Sequence, residues 1–105
     1  MTRGDVYRVR LPKRGGREQH GTRFAVIVQA DALLGLSTAL VAPTSRGALA
    51  ATFRPEVEIG GEPTRVMIEQ LRALDISRLD DFAGRLSIDE MRDVDEALSL
   101  VLALS

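Results

Sequence analysis

The sequence predicts an α+β protein that is mainly β: a compact, partly open barrel of short strands with one C-terminal helix. Three observations predict it. Short aliphatic and β-branched runs recur between Gly-, Pro- and Arg-containing loops over residues 4–86, Ser87-Ile88-Asp89-Glu90 is a capping box, and apolar residues after it recur at helical spacing. A chain of 105 residues buries a single core, so residues 1–105 are expected to form one domain.

Gly4 to Leu11 alternates, with Val6, Arg8 and Arg10 interleaved with Tyr7, Val9 and Leu11, which is a strand with one wet face. Residues 12–22 are polar and Gly-containing and read as a loop. Arg23 to Gln29 is nearly continuously apolar and reads as a strand buried on both faces. Asp31 to Gly35 suits one helical turn or a bend before a third strand, Ser37 to Ala42. Pro43 is expected to end that strand, because it lacks the amide a ladder requires. Thr44 to Arg54 has no period and reads as a long surface loop. Glu56 to Ile59, the Gly60-Gly61 turn and Arg65 to Leu71 make a hairpin. Asp75 to Leu79 suits a short turn capped by Asp75 or Ser77, and Phe82 to Leu86 a last strand. In the capping box the Ser87 hydroxyl accepts from the Glu90 amide while the Glu90 carboxylate reaches back. Ile88, Met91, Val94, Leu98 and Val101 then mark the helix face expected to pack on the sheet, and the apolar end, residues 98–104, is either sunk into the core or shared with a second subunit.

Net charge is −1 with a pI near 5.8, yet the charge is polarised. Residues 1–54 carry nine Lys and Arg against three Asp and Glu, and residues 55–105 carry five against twelve. A basic face on an acidic body suits a local phosphate site; the alternative is a dimer that sets one half against the other. All but one of the cations are Arg, which forks onto phosphate oxygens. There is no Cys, hence no disulfide and no thiolate ligand. No run is long and apolar enough to cross a bilayer, and a soluble, cytoplasmic chain with no membrane partner is expected.

The most telling stretch is Glu18-Gln19-His20-Gly21-Thr22-Arg23, which runs into the apolar strand behind the basic loop Pro12-Lys13-Arg14-Gly15-Gly16-Arg17. A buried strand rarely needs a guanidinium at its first position, so Arg23 is expected to face a ligand beyond the core, and the residues around it look like an anion site. On the residues alone, a structural ion pair of Arg23 with Glu18 or Glu69 explains it as well. His20, lone in a polar loop, reads first as solvated. Lys13, Arg14 and Arg17 suit positioning of a phosphate backbone, since phosphate contacts position and base contacts specify. Arg46 and Arg54 are expected to line the same groove, and Phe53 is either buried or a stacking surface.

Taken in order, Arg3-Gly4-Asp5-Val6-Tyr7, Glu18-Gln19 with Gly21-Thr22-Arg23, Pro43-Thr44-Ser45 and Glu69-Gln70-Leu71-Arg72-Ala73-Leu74-Asp75 resemble the MazF/PemK (Kid) family of toxins from bacterial type II toxin-antitoxin modules, over nearly the whole chain. The resemblance implies an SH3-like barrel, a homodimer through the barrel and C-terminal helix, and a cognate antitoxin whose acidic tail covers the same surface. DNA would be met only indirectly, through that antitoxin. It also implies a growth-inhibiting, sequence-specific endoribonuclease that cuts single-stranded mRNA, tRNA or rRNA with no metal or cofactor. Carried over residue by residue, the catalytic positions are Arg23 and Thr44. Glu18, Gln19, Glu69 and Gln70 support them or transfer protons, and Lys13, Arg14, Arg17, His20, Ser45, Arg46 and Arg54 bind RNA. The chain departs from the family pattern at Phe24, where Pro is usual, at Arg17, where some members carry His, and at Met67, where some carry a catalytic Arg.

The chemistry suits those residues. RNA supplies its own nucleophile, the 2′-hydroxyl, so the protein must align it with phosphorus and stabilise charge on the phosphoryl oxygens. Arg23 is expected to donate to those oxygens, with Thr44 donating a second hydrogen bond, although a turn cap after Pro43 explains Thr44 too. Glu18 and Glu69 are the carboxylates for a base, and Glu69-Gln70 equally suits anchoring of the loop. Two other readings stay open: a non-catalytic toxin of the same fold acting on DNA gyrase, and an SH3-like interaction module.

Overall fold

A computed structural model describes residues 1–13 and 15–104. The strands are β1 (Asp5–Leu11), β2 (Gly21–Ile27), β3 (Thr38–Ser45), β4 (Glu56–Ile59), β5 (Glu62–Val66), β6 (Arg72–Asp75) and β7 (Leu79–Arg85), followed by one helix, α1 (Ile88–Leu102). They form a single curled half-barrel in the order β4-β5-β3-β2-β1-β7, with β6 also paired to β3. Among the described residues every strand pairing is antiparallel. Among the described residues no helix is long and apolar enough to cross a membrane.

Curling gives the sheet two small cores rather than one. Period-two alternation sends Ala25 and Ile27 of β2 to a cluster with Val9, Leu11, Val41 and Leu74. Val26 and Val28 go the other way, to a cluster with Val6, Val66, Ile68 and the helix residues Val94 and Ala97. The strand is thus buried on both faces as expected, but only in its second half, because residues 21–24 are exposed or half-buried.

The third strand does not end at Pro43. It runs through Thr44 to Ser45, with Pro43 opposite Ala25 of β2. On its other edge β3 changes partner, pairing with β6 up to Val41 and with β5 from Thr44. The missing proline amide falls in the gap between these partners, while the Pro43 carbonyl accepts from the Met67 amide at 2.8 Å. A proline is tolerated mid-strand there because no acceptor is left waiting. The hairpin also differs from expectation. Its second strand starts at Glu62, directly after Gly60-Gly61, and stops at Val66; Ile68–Gln70 is a 3-10 turn, and the next strand is β6. The final strand starts three residues early, at Leu79.

At the helix both halves of the capping box form, with the Glu90 amide donating to Ser87 Oγ at 3.0 Å and the Ser87 amide to Glu90 Oε1 at 2.9 Å. The buried stripe is narrower than the spacing suggests. Val94 and Ala97 are buried with Met91 and Leu98 beside them, while Ile88 and Val101 stay exposed. Leu100, Leu102 and Leu104 are exposed as well, so the apolar end of α1 is not sunk into this chain's core. Arg3 holds the chain start to the helix, bonding the Val28 carbonyl at 2.8 Å and Asp95 at 2.6 Å. Gly4 next to it has φ +96°, and a Cβ there would meet Met91 Cγ at 3.3 Å, so both backbone and space call for glycine.

Candidate functional site

A cleft of about 280 Å³ opens between the start of β2, the end of β3 and the β4–β5 hairpin. Residues 22–24 form one wall, residues 44–47 the second, and Ile59, Glu62 and Thr64 the third. The local sequence explains the opening. The β2–β3 ladder stops at Ala25 opposite Pro43, and the next rung is made by a side chain, with the Thr44 hydroxyl donating to the Phe24 carbonyl at 2.9 Å. Beyond that point the two strands border open space. In this structure the Thr44 hydroxyl is thus directed at the strand and not at the open space. Its residue is buried and its one hydroxyl proton is committed to Phe24, leaving only acceptor capacity.

Arg23 is half-buried at the rim. Its Nε donates to the His20 carbonyl at 3.3 Å, and its Nη groups have no partner among the described residues. Among the described residues each ion pair belongs to another arginine, so Arg23 pairs with neither Glu18 nor Glu69. No hydrogen bond joins Arg23 to Thr44 among the described residues; what they share is the cleft.

The loop ahead of Arg23 is held by its backbone. Gln70 Oε1 accepts from the Gln19 amide at 2.7 Å and Gln70 Nε2 donates to the Arg17 carbonyl at 3.5 Å. Arg72 Nη1 donates to the Gln19 carbonyl at 3.2 Å. Gln70 therefore connects the 3-10 turn after β5 to the loop that sets Arg23. Glu18, His20, Arg17 and Lys13 are exposed on that loop, and Arg14 lies outside the described residues.

Other expected site residues are sorted by their partners. Ser45 and Arg46 line the cleft, where Arg46 pairs with Glu62 at 2.8 Å. Arg54 does not join them: it bonds Glu69 through Nε at 2.7 Å and covers the Phe53 ring at 5.3 Å. Neither Glu69 nor Arg54 lines the cleft, so Glu69 is engaged as an ion-pair partner outside it. Groups held away from their ordinary protonation range also lie elsewhere. The Ser77 amide and hydroxyl hold Asp75 below the usual carboxylate range. Burial pushes Glu90 upward, but bonds from the Ser87 and Glu58 amides and the Ser87 hydroxyl outweigh it and hold Glu90 low.

Sequence reasoning missed two parts of the site. Thr64, Glu62 and Ile59 supply the third wall, which only the nonlocal β3–β5 pairing brings to Thr44. A second hollow of about 210 Å³ lies on the other side of Arg23, lined by Arg8, Thr22, Arg23 and Phe24. The wet-face period of β1 was the available signal for Arg8.

Residues 2–102 match the family described as PemK-like, MazF-like toxin of type II toxin-antitoxin system. The Mycobacterium tuberculosis (strain ATCC 25618 / H37Rv) protein named "Putative toxin Rv3098A" is 38% identical over 106 residues, covering 99% of each chain. Among solved structures, MazF from Deinococcus radiodurans superposes with TM-score 0.86 at 22% identity, over 98% of this chain and 96% of that one. A mycobacterial endoribonuclease solved in complex with its cognate antitoxin gives TM-score 0.86 at 19% identity, over 100% and 97%. At these identities the two structures show the shared fold.

Proposed function

The chain belongs to the PemK-like, MazF-like toxins of type II toxin-antitoxin systems, and from that premise we propose that it is a metal-independent endoribonuclease that cuts single-stranded RNA at a short recognition sequence. The observation that carries the reading is Arg23: an arginine without a carboxylate partner among the described residues, at the rim of a cleft open to solvent. A phosphodiester satisfies it. The Nη groups donate to the non-bridging oxygens and stabilise the charge that develops there as the 2′-oxygen attacks phosphorus. The bond to the 5′-oxygen breaks and that oxygen takes a proton from solvent, leaving a 2′,3′-cyclic phosphate on one fragment and a 5′-hydroxyl on the other. Arg23 serves as an electrostatic group rather than a base, because a guanidinium keeps its proton.

The remaining residues position the linkage. Thr44 fixes the Phe24 carbonyl and so the backbone beside Arg23, and Gln70 holds the preceding loop through Gln19 and Arg17. Glu69 is held by Arg54, and Glu18, exposed on the loop that leads into Arg23, is the carboxylate assigned to accept the 2′-hydroxyl proton. Lys13, Arg14, Arg17 and His20 bind the RNA backbone, and Ser45 and Arg46 meet it within the cleft. The exposed apolar end of α1 suits a homodimer contact, and an acidic antitoxin tail would compete for the same cations. The cytoplasm is where such a substrate is met.

Incubating the purified protein with mixed single-stranded RNA in EDTA tests the reading. Defined fragments whose ends carry a cyclic phosphate by mass spectrometry are expected. Intact RNA, or fragments ending in a 3′-hydroxyl, would overturn it, and intact RNA together with inhibited DNA gyrase would replace it with the non-catalytic toxin.

A further inference from the structure

Arg8 and Phe24 face each other directly across the β1–β2 ladder. The Arg8 guanidinium carbon sits 5.6 Å from the Phe24 ring centroid, over its face. Phe24 is half-buried and leans on the core, so it is a fixed floor, whereas Arg8 is exposed. Arg8 appears in none of the seven ion pairs and makes no side-chain hydrogen bond among the described residues. Its neighbour Arg10 is bound to Asp80 and the Ser77 carbonyl. Arg8 and Phe24 thus sit together on the wall of the 210 Å³ hollow, with the Arg8 guanidinium near the ring and exposed.

We propose that this hollow is a nucleobase subsite in which a base stacks on the exposed Arg8 guanidinium beside the Phe24 ring. The inference rests on the nuclease reading for the identity of the ligand as RNA. Planar guanidinium groups and aromatic rings are what unstacked bases of single strands pack on, and such stacking tolerates any base. The position of Arg23 gives the subsite its place. Residues 22–24 border both hollows, so a phosphate held by Arg23 has one neighbouring nucleotide on the Arg8 side and the other on the Thr44 side. The unusual Phe24 is the residue that makes the floor possible, since a proline there offers no ring face for Arg8.

The test uses fluorescent 2′-O-methyl RNA 12-mers, which cannot be cut because the attacking hydroxyl is blocked, beside an abasic 12-mer of the same backbone. Binding is read by anisotropy over a salt series, and folding by melting temperature. For the parent, base-bearing strands are expected to bind about tenfold tighter than the abasic one. Arg8→Lys keeps the charge and loses the plane. It is expected to bind the abasic strand as the parent does, with the same salt slope, while the base-dependent ratio falls by about tenfold. Phe24→Leu should lower the ratio too, and Phe24→Trp should preserve it. An unchanged ratio in Arg8→Lys overturns the proposal, as does a loss confined to the abasic affinity. Cleavage of unmodified RNA is scored separately, so failure of the subsite and failure of the nuclease reading give different results.

Discussion

Replacing Thr44 with Val separates a structural hydroxyl from a catalytic one, because the side chain keeps its shape and loses only its donor and acceptor. In the structure the Thr44 hydroxyl makes the last rung between β3 and β2, donating to Phe24 at 2.9 Å from a residue that is 4% exposed. Val at this position leaves the Phe24 carbonyl short of a donor at the cleft wall. A lost hydrogen bond with one buried partner left unpaired costs about 1–2 kcal/mol. For a domain of this size that is a fall of roughly 5–15 °C in melting temperature. Thr44→Ser restores the hydroxyl and should recover most of the loss. RNA cleavage should fall in Thr44→Val through a loosened Arg23 strand, and partial recovery in the Ser variant should follow the melting temperature. The measurements are calorimetric unfolding and the rate of cutting of one RNA at fixed protein concentration. A Val variant that melts with the parent but has lost cleavage would refute the reasoning, since the hydroxyl would then act on the substrate and not on Phe24.

Gln70→Ala removes the side chain that holds the Gln19 amide at 2.7 Å; the Gln19 amide should exchange faster with solvent deuterium and stability should drop by about 1 kcal/mol, with slower cleavage. Glu90→Gln tests the helix cap against pH. The parent Glu90 carboxyl is held below its ordinary value in the folded state, so its contribution is present above the unfolded value and is lost as pH falls through the lower folded one. The stability difference between parent and Glu90→Gln should be present at neutral pH and shrink below the ordinary glutamate range, as read by urea unfolding; a constant difference across that range would contradict it.

The fold class was legible because its strongest signals are local. The capping box at Ser87 to Glu90, the alternation in β1, the apolar run of β2 and the Asp75 turn, whose carboxylate accepts from the Ser77 amide at 2.9 Å, each lie within a few residues. What the sequence hid depends on partners far along the chain. Pro43 sits inside a strand because two other strands happen to leave a gap at its nitrogen, and β6 exists because β3 needs a second partner. Ile88 and Val101 have the right period, yet both stay exposed. The site divides the same way. The sequence points to Arg23, Thr44, Ser45 and Arg46, and they share one cleft, whereas Arg54 turns to Glu69, a pairing no spacing rule announces. Thr64 entered through strand pairing, and Arg8 looked like an ordinary solvated residue until its register set it over Phe24.

The central claim is that the guanidinium of Arg23 meets a phosphodiester, and Arg23→Ala measures it most directly. Its one side-chain bond among the described residues, to the His20 carbonyl at 3.3 Å, is long and exposed, so removal should move the melting temperature by no more than about 2 °C. Cleavage of single-stranded RNA in EDTA should fall by at least about 100-fold, as when a principal donor to a developing oxyanion is lost. Retained cleavage, or a loss of activity matched by a loss of folding, would contradict the account.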